Sequence, residues 1–250
     1  MQKHNPQAGT VPDVSAVWSW GLPLASALVI GVLAAVLPSG DTYEEVLRSE
    51  HGIIEIATVA ACAVGFVLSL KLAWRGPDVP YRKCFRIYML LFGEEASWGQ
   101  HYIGWEATEY FRENNTMNET NLHNLTNAFE QVPKAILHIA AIVGGLLWPL
   151  FLARRWSNGP EWLHWLMPTM AVVPSVVLGL GFRLWERILV WFNIEPVYTV
   201  IDKWKELKEG NELFLVYFLA IYVASLAVRT APATQSQRTA NRLSAKRDFR

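Results

Sequence analysis

Two adjacent glutamates, Glu94 and Glu95, stand at the end of an apolar stretch of this chain. They belong to residues 93–100, which read Gly-Glu-Glu-Ala-Ser-Trp-Gly-Gln. Moving one ionised carboxylate into hydrocarbon costs on the order of 3 kcal/mol. Such a pair therefore needs a proton, water, a cation or a basic partner. Two carboxylates in different surroundings can also divide the acid and base roles of a reaction.

A second polar motif follows at residues 118–125, which read Asn-Glu-Thr-Asn-Leu-His-Asn-Leu. His123 supplies an imidazole, the side chain most often used in proton transfer. We take Glu55, Glu94, Glu95 and His123 as candidate catalytic residues. The candidate substrate-binding residues are the polar and aromatic neighbours of these groups: Ser97, Trp98, Gln100, His101, Glu119, Asn121 and Asn124.

A divalent metal is a candidate cofactor, with Glu94, His123 and His138 as candidate ligands. The sequence does not require one, because it has no HExxH motif, no Cys-His cluster and no Asp-rich pair. On one helix, Glu94 and His101 would lie about 10 Å apart along the axis, too far to share a metal without a bend. Gly99 and Gly104 would permit such a bend.

The elements that must position these residues are membrane-spanning helices. Hydrophobic residues make up 52% of the 250-residue chain, the mean hydropathy is +0.18 and there are 12 tryptophans. Apolar runs of about 20 residues are long enough to cross a bilayer. Six candidate spans fit, at residues 16–37, 53–74, 85–105, 135–153, 162–182 and 213–228. The sequence therefore predicts an all-α integral membrane protein with a bundle of about six transmembrane helices.

Loop charges predict the orientation of this bundle. Basic residues gather between the second and third spans and after the fourth, so these loops should be cytoplasmic. Both termini are then cytoplasmic. We expect a cytoplasmic N-terminal segment at 1–15, a transmembrane domain at 16–228 with an outer loop at 106–134, and a basic, disordered tail at 229–250. Pro168 and Pro174 favour a kink in the fifth span. Its continuation, 183–192, is either an interfacial helix or an extension of the span.

The predicted topology brings polar residues of separate segments to one half of the membrane. Glu55 starts the second span, and His138 lies about one helical turn inside the fourth. Counted from the cytoplasm, Glu94 and Glu95 lie near mid-depth of the third span, and Gln100 and His101 lie nearer the outer face. We therefore expect an outward-facing polar site.

These motifs resemble those of a family of small, polytopic, uncharacterised bacterial membrane proteins. The resemblance rests on Glu-x-Gly-x-x-Glu at residues 50–55, the motif at 93–100 and Glu-Thr-Asn-Leu-His-Asn-Leu at 119–125. It implies a multi-pass protein of the bacterial inner (cytoplasmic) membrane and supplies no reaction. Members usually carry arginine where this chain has His101, which argues against His101 as an essential metal ligand and for a shared basic role.

Three functions remain open. The site could belong to a hydrolase or transferase acting on a lipid or lipid-linked substrate. Alternatively, the polar groups form a structural plug in a non-catalytic assembly or accessory subunit, in which Glu94 or Glu95 pairs with Arg183 or Arg187. A third alternative is an ion- or proton-coupled transporter, although no internal repeat is evident. The expected partners are the lipid bilayer, a lipid substrate or another membrane protein, and no nucleic acid. An oligomer is compatible with the sequence.

Overall fold

The structure is a computed structural model. It describes residues 12–38, 40–49, 52–75, 86–87, 89–90, 93–94, 100, 104–115, 120–122, 127–156, 159–191 and 209–231. Within these ranges the chain forms helices and no strand.

Eight helices are labelled in chain order. α1 is Val17–Val36, α2 comprises Asp41–Tyr43 and Glu44–Arg48, α3 is Ile53–Arg75 and α4 is Glu109–Asn114. α5 runs through Asn127–Ala140, Ala141–Leu152 and Ala153–Arg155, and α6 is Glu161–Leu166. A 3₁₀ turn at Met170–Val172 leads into α7, Val173–Trp191, and α8 is Glu209–Arg229.

Four helices in the described residues are long and apolar enough to cross a membrane: Val17–Val36, Ile53–Trp74, Gln131–Arg155 and Gly210–Arg229. They correspond to the first, second, fourth and sixth candidate spans. The third span lies largely outside the described residues. Apolar side chains are exposed along α1 and α5, including Leu28, Val32, Ile136 and Ile139. Such exposure on long apolar helices is typical of a protein surrounded by lipid.

The fifth candidate span is not the single helix that was predicted. It is divided between α6 and α7, because the chain leaves the helical conformation at Met167, where φ is −71° and ψ is 150°. The following residue, Pro168, disfavours a helical conformation at the residue before it. Pro174 is tolerated because it lies in the first turn of α7, where its missing amide would have no helical partner. Beyond Arg183, α7 continues without interruption to Trp191.

α8 is the central helix of the described bundle. In its most apolar 18 residues 61% are buried, against 22% for α1, 33% for α3 and 17% for α5. α3 runs parallel to α8, since Ile54 shares a buried cluster with Leu213 and Leu72 shares another with Leu226. α7 runs antiparallel to α8, since Gly179 lies against Phe214 and the later residue Phe182 lies against Gly210.

The bundle therefore has two distinct ends. We call the end where α3 and α8 begin the Glu55 end. The opposite end, where α8 finishes at Arg229 beside Asp13, is the Asp13 end. With 1.5 Å of rise per residue, the two ends are about 30 Å apart.

Candidate functional site

The two long polar motifs of the sequence meet in the structure. Glu94 is half-buried, and its Oε2 accepts a hydrogen bond from the backbone amide of Leu122 at 2.6 Å. The side chain of Gln100 makes a similar contact: its Oε1 accepts a hydrogen bond from the backbone amide of Thr120 at 2.6 Å. Two side chains of the third candidate span thus hold one short segment of the outer loop, residues 120–122.

This loop segment is held from its other side by a buried pair of asparagines. The side-chain amide of Asn115 donates to the backbone oxygen of Asn121 at 3.1 Å and to its Oδ1 at 2.9 Å. Asn115 also ends α4, and its own backbone amide donates to the oxygen of Phe111 at 2.8 Å. Both asparagines are buried, so this contact fixes residue 121 against the end of α4.

Gly104 connects the third candidate span to this loop. Its amide donates to the backbone oxygen of Gln100 at 2.8 Å, which is a helix-type contact. Its φ of 79° lies in the left-handed region, where a glycine commonly ends a helix. Gly104, four residues after Gln100, therefore turns the chain before α4.

Glu55 lies half-buried in the first turn of α3, where a negative charge suits the helix dipole. Just before α3, the backbone at Gly52 packs closely against the preceding residues, and the Gly52 amide donates to the backbone oxygen of Ser49 at 2.6 Å. A side-chain carbon at Gly52 would lie 2.8 Å from the carbonyl carbon of Leu47. The glycine of the Glu-x-Gly-x-x-Glu motif is therefore required by packing against α2.

His138 belongs to a contact between α5 and α8. Its Nδ1 lies 2.6 Å from the backbone oxygen of Lys134, and its Nε2 lies 3.2 Å from Oδ1 of Asn211, a buried residue. Next to this pair, Nζ of Lys134 forms an ion pair of 2.8 Å with Glu212. Because both ring nitrogens of His138 have partners, binding a metal through this residue would require breaking one of these contacts.

Part of the predicted site lies outside the described residues. This applies to Glu95, Ser97, Trp98, His101, Glu119, His123 and Asn124. Among the residues that are described, no group of three or more His, Cys, Asp or Glu side chains is arranged to hold a metal ion. Arg183, one of the two predicted partners of the glutamates, is exposed on α7, and the side chain of Arg187 is not described.

No protein-family model, curated protein or solved structure matches this chain. Its candidate site is therefore defined by the contacts within the structure. The contacts to Leu122 and Thr120 bring together Glu94, Gln100 and Asn121, which come from two motifs separated by about 20 residues of sequence.

A second polar cluster, at the Asp13 end, was missed by sequence analysis. Arg229, which was assigned to the basic tail, is the last residue of α8, and its side chain is fully buried beside Asp13. Two features of the sequence draw attention to these residues, although neither identifies the pair. Asp13 is the only acidic residue among the first 40, and Ser225 and Arg229 have the i, i+4 spacing that places two side chains on one helix face.

Proposed function

We propose that this chain is a multi-pass protein of the bacterial inner membrane that acts as a hydrolase or transferase on a lipid or lipid-linked substrate. Its active site contains Glu94 and His123 as the acid–base pair, with Glu55 nearby. The observation that carries this proposal is the hydrogen bond between Glu94 and Leu122. His123 is the residue that follows Leu122 in the chain, so the carboxylate contacts the immediate sequence neighbour of the histidine.

The path of α5 supports a location for this site near the Glu55 end. Lys134 and His138 contact the start of α8, so α5 begins at that end. Leu122 precedes Asn127 by five residues, a reach of at most about 18 Å. From its start to Arg155, α5 is about 42 Å long. Leu122 is therefore much closer to the Glu55 end than to the Asp13 end, near the membrane surface where a lipid head group would lie.

The same contacts favour a second candidate function, in which Glu94 and Gln100 only hold the outer loop in its folded conformation. We call this function the clamp. Glu94 and Gln100 both accept backbone amides of the outer loop, which is what side chains do when they hold a loop in place. In this alternative the protein is a non-catalytic membrane component. The fold of the outer loop would then be its functional surface.

Two substitutions of Glu94 separate the candidates. Glu94→Gln keeps a side-chain oxygen for the Leu122 amide and removes the carboxylate, whereas Glu94→Ala removes both. The purified protein, in nanodiscs of phosphatidylglycerol and phosphatidylethanolamine with an added isoprenyl phosphate, is assayed for lipid products by mass spectrometry. For an enzyme, Glu94→Gln should remain folded and lose activity by roughly 10²- to 10⁴-fold.

Glu212→Gln is the matched control, because this glutamate pairs with Lys134 on the α5–α8 contact and should retain activity. The enzymatic proposal fails if the wild-type protein produces no lipid product, or if Glu94→Gln is as active as wild type. The clamp is supported if Glu94→Ala alone loosens the outer loop, measured by hydrogen exchange of residues 104–122, while no variant changes a lipid product.

A further inference from the structure

The carboxylate of Asp13 is surrounded by donors at the end of the bundle opposite Glu55. The hydroxyl of Thr169 donates to Oδ2, and the hydroxyl of Ser225 donates to Oδ1. The backbone amide of Val14 also donates to Oδ1, at 2.8 Å. Nη2 of Arg229 completes the group, 3.9 Å from Oδ2. Both oxygens of one carboxylate are thus bound by side chains from two different parts of the chain.

The donors come from elements that the rest of the fold already holds in place. Ser225 and Arg229 lie one helical turn apart on α8, and Thr169 lies in the break between α6 and α7. Two side chains of α8 bind the backbone at this break. Nη1 of Arg229 donates to the oxygen of Met167 at 3.0 Å. The hydroxyl of Tyr222 donates to the oxygen of Leu166 at 2.8 Å. These carbonyls are available because α6 ends at Leu166, just before Pro168. The donors are therefore preorganised without help from Asp13.

Burial differs between the two charged partners. The side chain of Arg229 is 0% exposed, and that of Asp13 is 22% exposed. A guanidinium that is fully removed from water requires compensating charge and hydrogen bonds. Asp13 supplies the charge from a segment that lies outside the helices, shortly before α1. The donors on α8 and at the break before α7 thus form a binding site, and the carboxylate of Asp13 occupies it.

We propose that Thr169, Ser225 and Arg229 form a carboxylate-binding site, and that Asp13 is its resident ligand. Binding of Asp13 fastens the segment before α1 to the end of α8 and to the break before α7. The geometry suits a carboxylate in particular, because the two hydroxyls donate to different carboxylate oxygens and the guanidinium lies beside one of these oxygens. When the aspartate side chain is removed, the same donors are available to a small free carboxylate.

Chemical rescue tests this site in the full-length protein. Asp13→Ala should lower the thermal unfolding midpoint in detergent by about 5 to 10 °C. Sodium formate should restore part of this loss, and sodium chloride at the same concentration should not. Asp41→Ala, which removes an exposed acidic residue at the start of α2, should show neither the loss nor the response to formate. An unchanged midpoint in Asp13→Ala, or equal responses to formate and chloride, would overturn the proposal.

A second set of variants covers the case in which Asp13→Ala does not fold. Asp13→Asn and Ser225→Ala are conservative changes, and each should lower the unfolding midpoint alone. If Ser225 acts through the carboxylate, its substitution should cost at most half as many degrees in the Asp13→Asn background as in wild type. Fully additive losses would show that the two side chains do not form one site.

Discussion

Gly145 of α5 lies directly against Val176 of α7. A side-chain carbon added at Gly145 would be 2.6 Å from Cγ2 of Val176 and 3.2 Å from the ring of Phe218 on α8. The neighbouring Gly144 faces a different surface, where an added carbon would lie 3.6 Å from Pro168, an ordinary contact distance. One glycine of the pair is thus required for helix packing, because it lets three helices approach one another.

Gly145→Ala should therefore destabilise the bundle, whereas Gly144→Ala should not. Inserting a methyl group into a packed contact typically costs about 1–3 kcal/mol. We expect a drop in the unfolding midpoint of several degrees for Gly145→Ala, measured by circular dichroism in detergent. Equal stability of the two variants would contradict the packing of α5 against α7.

Gly52→Ala should weaken the junction between α2 and α3. The new carbon would lie 2.8 and 2.9 Å from backbone atoms of Leu47, which is fully buried and has little freedom to move. Gly181→Ala is the control, because nothing lies within 4 Å of that position on α7. The control should be neutral or stabilising by up to about 1 kcal/mol, since alanine is the better helix former. A Gly52→Ala protein as stable as Gly181→Ala would refute this role for the motif glycine.

Asn121→Ala should loosen the outer loop. The substitution removes the side-chain acceptor of the buried Asn115 amide and keeps the backbone oxygen of residue 121 as its other acceptor, so we expect a loss of about 1 kcal/mol. Amide hydrogen exchange within residues 104–122 should accelerate while exchange in α8 remains slow. Asn114→Ala provides the comparison, because the Asn114 side chain is exposed and donates to the nearby backbone oxygen of Tyr110. If both variants exchange alike, the asparagine pair does not stabilise the loop.

His138→Ala should destabilise the contact between α5 and α8 more than Glu212→Ala. The first change leaves the buried Oδ1 of Asn211 without the histidine, at a cost of about 1–3 kcal/mol. The second removes an ion pair whose side chains are 37% and 40% exposed, and such pairs contribute at most about 1 kcal/mol. Chemical denaturation of both variants in detergent would measure the difference. The opposite order would show that the ion pair, and not the histidine, joins these helices.

The predicted orientation can be tested by thiol labelling in intact cells. A Cys84→Ser background is suitable, because the other cysteine, Cys62, is buried in α3. Asn118→Cys should react with a membrane-impermeant maleimide added outside, and Asn158→Cys should react only after the membrane is opened. The reverse pattern would place the polar motifs on the cytoplasmic side and overturn the outward-facing site.

The amino-acid sequence by itself predicted four of the observed apolar helices, at residues 16–37, 53–74, 135–153 and 213–228. The structure has them at Val17–Val36, Ile53–Trp74, Gln131–Arg155 and Gly210–Arg229. Length and apolar composition are local properties, and they suffice to predict a helix that can cross a membrane. The proline positions likewise indicated an irregularity in the fifth span. They did not show that α6 and α7 are separate helices, because a proline kinks some helices and ends others.

Only the tertiary structure decided which distant residues meet. Asp13 contacts Arg229, His138 contacts Asn211 and Glu94 contacts Leu122, and no local pattern specifies any of these pairs. Each depends on which faces of neighbouring helices pack together. Arg229 shows the consequence most clearly. A charged residue at the end of an apolar helix is most simply placed in water, but Arg229 is buried, with the carbonyl of Met167 accepting from its Nη1 and the carboxylate of Asp13 beside its Nη2.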